Sequence, residues 1–236
     1  MAGFLPKVRR YMFSRDTMML YTQSIKDVAS MDIRCAEGLL CRELLPGDRG
    51  TFAKLLGTQR KRETLFQPVF DMKDVVERVR RGERCFVCED GERIAGYIWF
   101  SPREKYILEI KVTLQLKDGD VYAYKAYVDK EYRGRSITPS ILVTACRALL
   151  PAGFKRLLLV TMDWNENTHR TLKKAKFLCK GSLRAGYLAT FRFMINTCGD
   201  IGISGSAGPF EFYGRLFGKL AEALSGAGAT GRPRMV

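Results

Sequence analysis

Nowhere in the 236 residues is there an apolar run of about 18 residues, the length a helix needs to cross a bilayer. Histidine is nearly absent: His169 stands alone, which leaves little for a histidine-based metal centre. The N-terminus lacks the apolar core of a secretion signal, because Lys7, Arg9, Arg10 and Arg15 occupy the stretch it would need. A non-secreted, cytoplasmic protein is therefore expected. The seven cysteines, at 35, 41, 85, 88, 146, 179 and 198, are odd in number and irregular in spacing, so no disulfide framework is expected and reduced thiols are the default. Cys85 and Cys88 form a CxxC, but inside CFVCE, which reads as a strand, where residues three apart point to opposite faces. With no second CxxC, no metal is expected.

Acidic residues are also short: 25 Asp and Glu stand against 40 Lys and Arg, for a net charge of +15. Such a chain attracts polyanions, whether cofactor phosphates, an acidic carrier protein, nucleic acid or an anionic membrane surface, and composition does not choose among them. At 46 % hydrophobic and 28 % charged, the composition is globular. No repeat is visible. The expected organisation is a basic arm over 1–14, one domain over 15–198, a Gly/Ser loop with an amphipathic helix over 199–225, and a disordered tail over 226–236.

The region up to Gly82 reads as mostly helical after a first strand from Thr17 to Ile25. A helix starts after Pro46-Gly47 with Asp48 near its cap. Another runs through DMKDVVERVRRGE, with Val75, Val76 and Val79 as its apolar stripe and Gly82 as its stop. The period then changes. RCFVCE and RIAGYIWF flank the turn Asp90-Gly91 as a hairpin, and YILEIKVTLQL and VYAYKAYVD flank Asp118-Gly119 as a second. An apolar helix, ILVTACRALL, precedes the short apolar run KRLLLVTMD, which suits a buried parallel strand. The basic helix NTHRTLKKAKF and the closing strands SLRAGYLATFRFMI follow. The final helix, with Phe210, Tyr213, Phe217, Leu220 and Leu224 on one side, either packs on the domain or lies on a membrane. The fold class is α/β, a central mixed sheet flanked by helices, with a parallel pair on either side of the helix after Ser136.

Chemistry concentrates in VYAYKAYVDKEYRGRSITPSIL, a strand that runs into a basic glycine loop and then a helix. Helix-start N–H groups and the helix dipole make a phosphate site there. Arg133 and Arg135 add charge, Gly134 admits a close approach, Ser136 and Thr138 offer hydroxyls, and Pro139 suits the first turn.

This stretch resembles the acyl-CoA-binding motif of the GNAT superfamily of N-acetyltransferases, whose signature Arg/Gln-x-x-Gly-x-Gly/Ala would fall on Arg133, Gly134, Arg135, Ser136, Ile137 and Thr138. A second family motif, strand–Asn–helix–Gly-Phe, is matched by LLLVTM, Asn165 and Phe177. The hairpin with Gly96 resembles the preceding strand pair. The chain departs from the family at three places: Ser136 and Thr138 stand for two glycines, Lys176 for the Gly before Phe177, and Leu172 for a frequent tyrosine acid.

The resemblance implies a GNAT-like acyl-CoA N-acyltransferase fold whose sheet splits between the strands ending near Val128 and Met162. It implies acetyl-CoA or another acyl-CoA as co-substrate, held by backbone groups at Tyr127 and Val128, by the loop from Arg133 to Thr138, and by Asn165. An N–H of that strand would polarise the thioester carbonyl. A base is required; Tyr124, expected on the same strand face as Val128 and acting through water, is the candidate, with Glu109 as the alternative. Position 172 is expected to face the cofactor. The acceptor is expected to be a small-molecule amine. Two further readings stay open, an acyl-carrier protein as donor and a non-catalytic domain that binds an anionic partner such as RNA. The basic cluster of Arg60, Lys61, Arg62, Arg78, Arg80, Arg81 and Arg84 is more charge than a bound CoA needs.

Overall fold

The segments RCFVCE, RIAGYIWF, VYAYKAYVD and RLLLVTM share one sheet, seen in a computed structural model that describes residues 15–45, 47–60, 72–188, 191–199 and 201–204. The basic arm over 1–14, residues Lys61 and Arg62, the final amphipathic helix and the tail lie outside the described residues. The elements are β1 (Arg15–Ser24), α1 (Ile25–Ala29), β2 (Leu40–Leu44), α2 (Arg49–Arg60), α3 (Met72–Arg80), β3 (Arg84–Asp90) and β4 (Arg93–Ser101). They continue with β5 (Lys105–Ile107), β6 (Val112–Leu114), β7 (Asp120–Val128), a 3-10 turn (Lys130–Tyr132), α4 (Ile137–Leu149), β8 (Arg156–Met162), α5 (Glu166–Lys174), β9 (Leu178–Leu188), β10 (Phe191–Asn196) and β11 (Ile203–Ser204).

The main sheet has eight strands in the order β10-β9-β1-β8-β7-β4-β3-β2. All neighbours are antiparallel except β7 and β8, joined through α4 as a crossover helix requires. One face, through Phe86, Ile98, Val121, Ala123 and Leu157, packs on α1, α4 and α5. The other face is covered in two halves. Phe52 and Leu55 of α2 and Val75 of α3 lie over Val87, Tyr97 and Trp99, while a three-stranded sheet, β11-β6-β5, lies over Met18, Leu20, Tyr122 and Leu158. Cys85 and Cys88 fall into the opposite-face clusters, as the pleat demands.

Three local expectations are corrected. First, the segment before α2 is not all helix or loop: β2 pairs with β3 from Leu40↔Glu89 to Leu44↔Cys85. Its mixed sequence is held by ion pairs across the pair, Arg42 with Glu89 at 2.7 Å and Arg84 with Glu43. Second, the second hairpin does not form. β7 pairs with β4 and β8, and the expected partner strand folds on itself as β5 and β6 around Leu108–Lys111. Ile107, Ile110, Val112 and Leu114 are more useful as a separate layer over Tyr122 and Leu158 than as another strand of the main sheet. Third, Val76 is exposed and does not join the stripe of α3. Beyond Cys198, β11 still pairs with β6 through Ile203↔Leu114, so the packed part of the chain reaches Ser204.

Helix α5 ends where the second family motif would place a glycine. Lys176 there has φ +57°, the left-handed conformation glycine tolerates best. The reason is a helix-stop hydrogen bond from Phe177 N–H to Leu172 C=O at 2.9 Å, which turns the chain so that Phe177 enters the core. Lys176→Gly is therefore expected to raise the unfolding free energy by about 1 kcal/mol, the cost of a side chain in that region. Urea titration of the two proteins measures it; a less stable variant would contradict the strain.

Candidate active site

The parallel pair β7 and β8 is short. Its register runs from Asp120↔Arg156 to Ala123↔Leu159 and stops there. Beyond it, β7 stays paired with β4 as far as Val128, and β8 stays paired with β1 as far as Met162. Each strand keeps its outer partner and loses its inner one, so the sheet opens down its middle. The cause is one extra residue in β7. Trp99 faces Tyr124 and Tyr97 faces Tyr127, so Lys125 and Ala126 together oppose Ile98. This is a β-bulge, and Lys125 adopts φ +48° to make it. The expected opening beside Val128 and Met162 is thus present, with backbone polar groups along both inner edges that a bound chain can satisfy.

The bulge also corrects a site expectation. An inserted residue flips the alternation, so Tyr124 and Val128 do not share a face. Val128 packs toward α4, while Tyr124 packs with Trp99 and Tyr97 on the α2–α3 side. Tyr127 follows Tyr124 to that side, with its ring 5.4 Å from that of Tyr97.

At the open end of β7 the chain enters the loop. Asp129 caps the 3-10 turn by accepting from Glu131 N–H at 3.1 Å. Gly134 at φ +82° and Ser136 at φ +57° then curl the chain into α4. Ser136 so takes a left-handed conformation that glycine adopts most readily. No side chain caps α4 at Ser136, which leaves the first-turn N–H groups of Ile137 and Thr138 directed into the loop. Arg133 and Arg135 are exposed beside them, and the Arg135 guanidinium lies 5.3 Å from the Tyr132 ring centre. The Ile137 side chain is buried, so its share in a phosphate site is its backbone N–H. It also explains Gly96: a Cβ there would stand 2.8 Å from Tyr127 O and 2.9 Å from Ile137 Cγ2. The glycine lets α4 and β7 close on β4.

Across the opening, Asn165 Oδ1 accepts from Thr168 N–H at 3.3 Å and caps α5. Leu172, expected to face a cofactor, is 2 % exposed and packs with Ala175, Phe177 and the apolar face of α4. It is core filling where the family often has a phenol. His169 is not a bare surface residue. Its Nε2–H donates to Asp163 C=O at 3.0 Å, which leaves Nδ1 to accept from Tyr21 Oη at 2.8 Å.

The α2–α3 side of β7 holds a charged cluster that the sequence did not announce. Tyr124 donates to Glu83, and Arg78 and Lys105 donate to Tyr124, Lys105 at 3.1 Å. Glu83 is buried and also meets Lys105 and Arg78, the latter at 3.6 Å. Burial holds the Tyr124 phenol above its ordinary range, with Arg78 offsetting part of the rise. A phenol that gives its proton to Glu83 is a relay, not a ready base. Burial pushes Lys105 down, and burial followed by the Arg78 charge pushes Lys125 down to about 8. Beside the cluster is a cavity of about 170 Å³ lined by Asp74, Glu77, Arg78, Arg81, Glu83 and Lys105. Glu109 is exposed on the β5–β6 turn, where its charge bears on Tyr122 and not on this cluster. Three arginines of the basic cluster meet acids of the chain itself: Arg78 meets Glu83, Arg81 meets Glu77, and Arg84 meets Glu43.

Residues 53–177, more than half of the chain, match the family model described as acetyltransferase (GNAT) family. No curated protein matches the chain. Among solved structures, a functionally unknown conserved protein from Staphylococcus epidermidis is similar over 76 % of this chain at 12 % identity and a TM-score of 0.50. This chain spans 64 % of that protein, less than two thirds of its length. An aminoglycoside acetyltransferase from an uncultured soil metagenomic sample, in complex with trehalose, is 13 % identical, with 60 % of this chain and 89 % of that chain covered and a TM-score of 0.47. AAC(6')-Iy, in complex with a bisubstrate analog of CoA, is 14 % identical, with 59 % and 90 % covered and a TM-score of 0.46. At such identities the first of these speaks for the fold alone. The family match is of another kind, because its span takes in the bulge, the glycine loop and the strand–Asn165–helix unit, and on it this chain belongs to the GNAT acetyltransferase family.

Proposed function

We propose that the chain is an N-acyltransferase that moves an acyl group, acetyl in the simplest case, from acyl-CoA to a primary amine of a small molecule by direct transfer. The observation that carries this reading is the opening between β7 and β8, with N–H groups at its edge and a basic loop at its mouth. Family membership supports acyl-CoA as the donor.

In this reading the pyrophosphate lies on the N–H groups of the loop from Gly134 to Thr138, with Arg133 and Arg135 as counter-charges. The pantetheine arm pairs with backbone at Tyr127 and Val128 inside the opening. The acceptor amine enters from the α2–α3 side, through the cavity beside Glu83. There the carboxylates of Asp74 and Glu77 can accept from the N–H groups of a weakly basic, neutral amine. The amine nitrogen attacks the thioester carbonyl carbon, and an N–H of β7 takes up the charge that develops on its oxygen. The ammonium proton must go to a base, and then the C–S bond breaks to release the CoA thiolate. Lys125 is the residue we assign as base, in place of Tyr124, because it stands at the bulge where the opening begins and a lysine lowered to about 8 is partly neutral near pH 8. A thiolate leaves without prior protonation near neutral pH, so apolar Leu172 does not forbid turnover. The reading includes a cytoplasmic location, in keeping with the free cysteines of the described residues.

An acyl-carrier protein as donor is the second reading, favoured by the net charge of +15. A donor panel of acetyl-CoA, long-chain acyl-CoA and acyl-carrier protein against mixed amines tests both. Steady acetyl transfer supports the first, transfer from the carrier protein alone supports the second, and silence with no CoA binding ends both.

Arg133→Ala and Arg135→Ala are each expected to weaken CoA binding by about 1.5–3 kcal/mol, the range for a hydrogen bond to a charged group. Calorimetry at low and high salt measures it, and affinity that neither substitution changes would make the loop an ordinary solvated turn.

The pH profile is expected to report Lys125. Its neutral form is the active base, so kcat/KM rises through about pH 8, provided the acceptor is a weakly basic amine that is neutral throughout. Lys125→Met is expected to remove that limb and lower the rate by about 10²-fold or more while CoA still binds. A limb that survives the substitution would assign the base elsewhere.

A further inference from the structure

Three thiols that no motif links converge on the face opposite the charged cluster. Cys41 of β2 and Cys88 of β3 are directly opposed in the register, so both side chains leave the same side of the sheet. Cys35, from the segment between α1 and β2, folds down over them. Its Sγ is 2.9 Å from that of Cys41 and 3.6 Å from that of Cys88, and the three sulfurs all lie within 4.8 Å of one another. Cys88 is buried, whereas Cys35 and Cys41 are half-buried, which leaves a way in. From above, Ser140 of the first turn of α4 brings a buried hydroxyl to Cys35. That Oγ has no oxygen or nitrogen partner among the described residues.

We propose that Cys35, Cys41 and Cys88 form a binding site for one thiophilic d¹⁰ metal ion, Zn²⁺ or Cu⁺, with Ser140 Oγ beside the open coordination position. Metal–sulfur bonds of about 2.3 Å in a tetrahedral site set sulfurs about 3.8 Å apart, a span that the Cys35–Cys88 distance already meets. Closing the set asks for sub-ångström shifts of side chains, because the backbone register already pairs Cys41 with Cys88. A disulfide would use two of the sulfurs and leave the third unexplained; a soft cation uses all three.

The placement makes this a structural site. It joins the edge strand β2, its neighbour β3, the segment carrying Cys35 and, through Ser140, the helix whose first turn belongs to the glycine loop. An edge strand is otherwise held along one side only, so a metal that ties it down stabilises the whole sheet margin. The site lies on the α4 side of the sheet, whereas Tyr124, Glu83 and Lys105 lie on the other, so the ion takes no part in acyl transfer.

The test is metal binding by the full chain, purified under reducing conditions without metal. Zn²⁺ and Cu⁺ are each titrated against a chromophoric chelator of known affinity, and Co²⁺ is added as a spectroscopic probe for thiolate-to-metal charge transfer. The expected result is one ion per chain, a thiolate band with Co²⁺, and a melting temperature that rises with the ion and falls back with chelator. The tighter of the two competitions identifies the ion. Cys35→Ser, on the half-buried segment, is expected to weaken binding at least tenfold, and Cys179→Ser, which is outside the cluster, to leave it unchanged. No binding tighter than micromolar, binding that Cys35→Ser does not touch, or a Cys35–Cys41 disulfide found by mass spectrometry in the chain as isolated would each overturn the proposal.

Discussion

A single extra residue in β7 governs the rest of the molecule. If β7 alternated regularly it would remain a partner of β8 along its length, and the sheet would be continuous. Instead Lys125 and Ala126 share one place opposite Ile98, and the parallel pair ends at Ala123 and Leu159. Tyr124 lies on the α2–α3 side before the insertion, and the insertion puts Tyr127 on that side too and Val128 on the α4 side. It opens a slot lined with backbone groups and sets a lysine at the start of that slot. The outer pairings with β4 and β1 keep the two halves in place, so the opening costs a few parallel hydrogen bonds and not the fold.

At two places where a glycine would be the easier residue, the chain has a side chain instead. Ser136 and Lys176 both adopt left-handed conformations, and both do so at the end of a helix. Non-glycine residues occupy that region at a cost of about 1–2 kcal/mol, so the surrounding packing must hold them there. At Lys176 the burial of Phe177 does so, and at Ser136 the burial of Ile137 under Gly96 does the same. Leu172 tells the same story from the packing side: a phenol has been exchanged for aliphatic core.

Local features of the fold were legible because they depend on short spans. The turn at Asp90-Gly91, the apolar run before Asp163, the basic loop at Arg133–Thr138 and the opposite facing of Cys85 and Cys88 all follow from periodicity and turn chemistry. What depended on distant partners was hidden. β2 has no apolar alternation of its own and is a strand because Arg42 and Glu43 find ions on the strand beside it. The segment with Ile107 and Val112 has a strand's composition, but which sheet it joins is decided by Tyr122 and Leu158 across the layer. Glu83 stands in RRGERC like any solvated residue, and only the approach of α3 and β5 makes it a buried acid against Tyr124. The bulge has no glycine to mark it, so the face of Val128 was misplaced by one residue. The cysteines at 35, 41 and 88 meet by register and by a folded-over segment, neither of which spacing reveals.

In the proposed reading the opening in the sheet, and not some other surface, receives the donor. Amide hydrogen exchange with and without acetyl-CoA tests it most directly, since a bound arm must take up N–H groups that β7 and β8 do not share. New protection is expected at residues 124–128 and at the loop 134–138 alone, with the outer pairs of β4 and β1 unchanged. Protection that appears elsewhere while these amides exchange as before would contradict it.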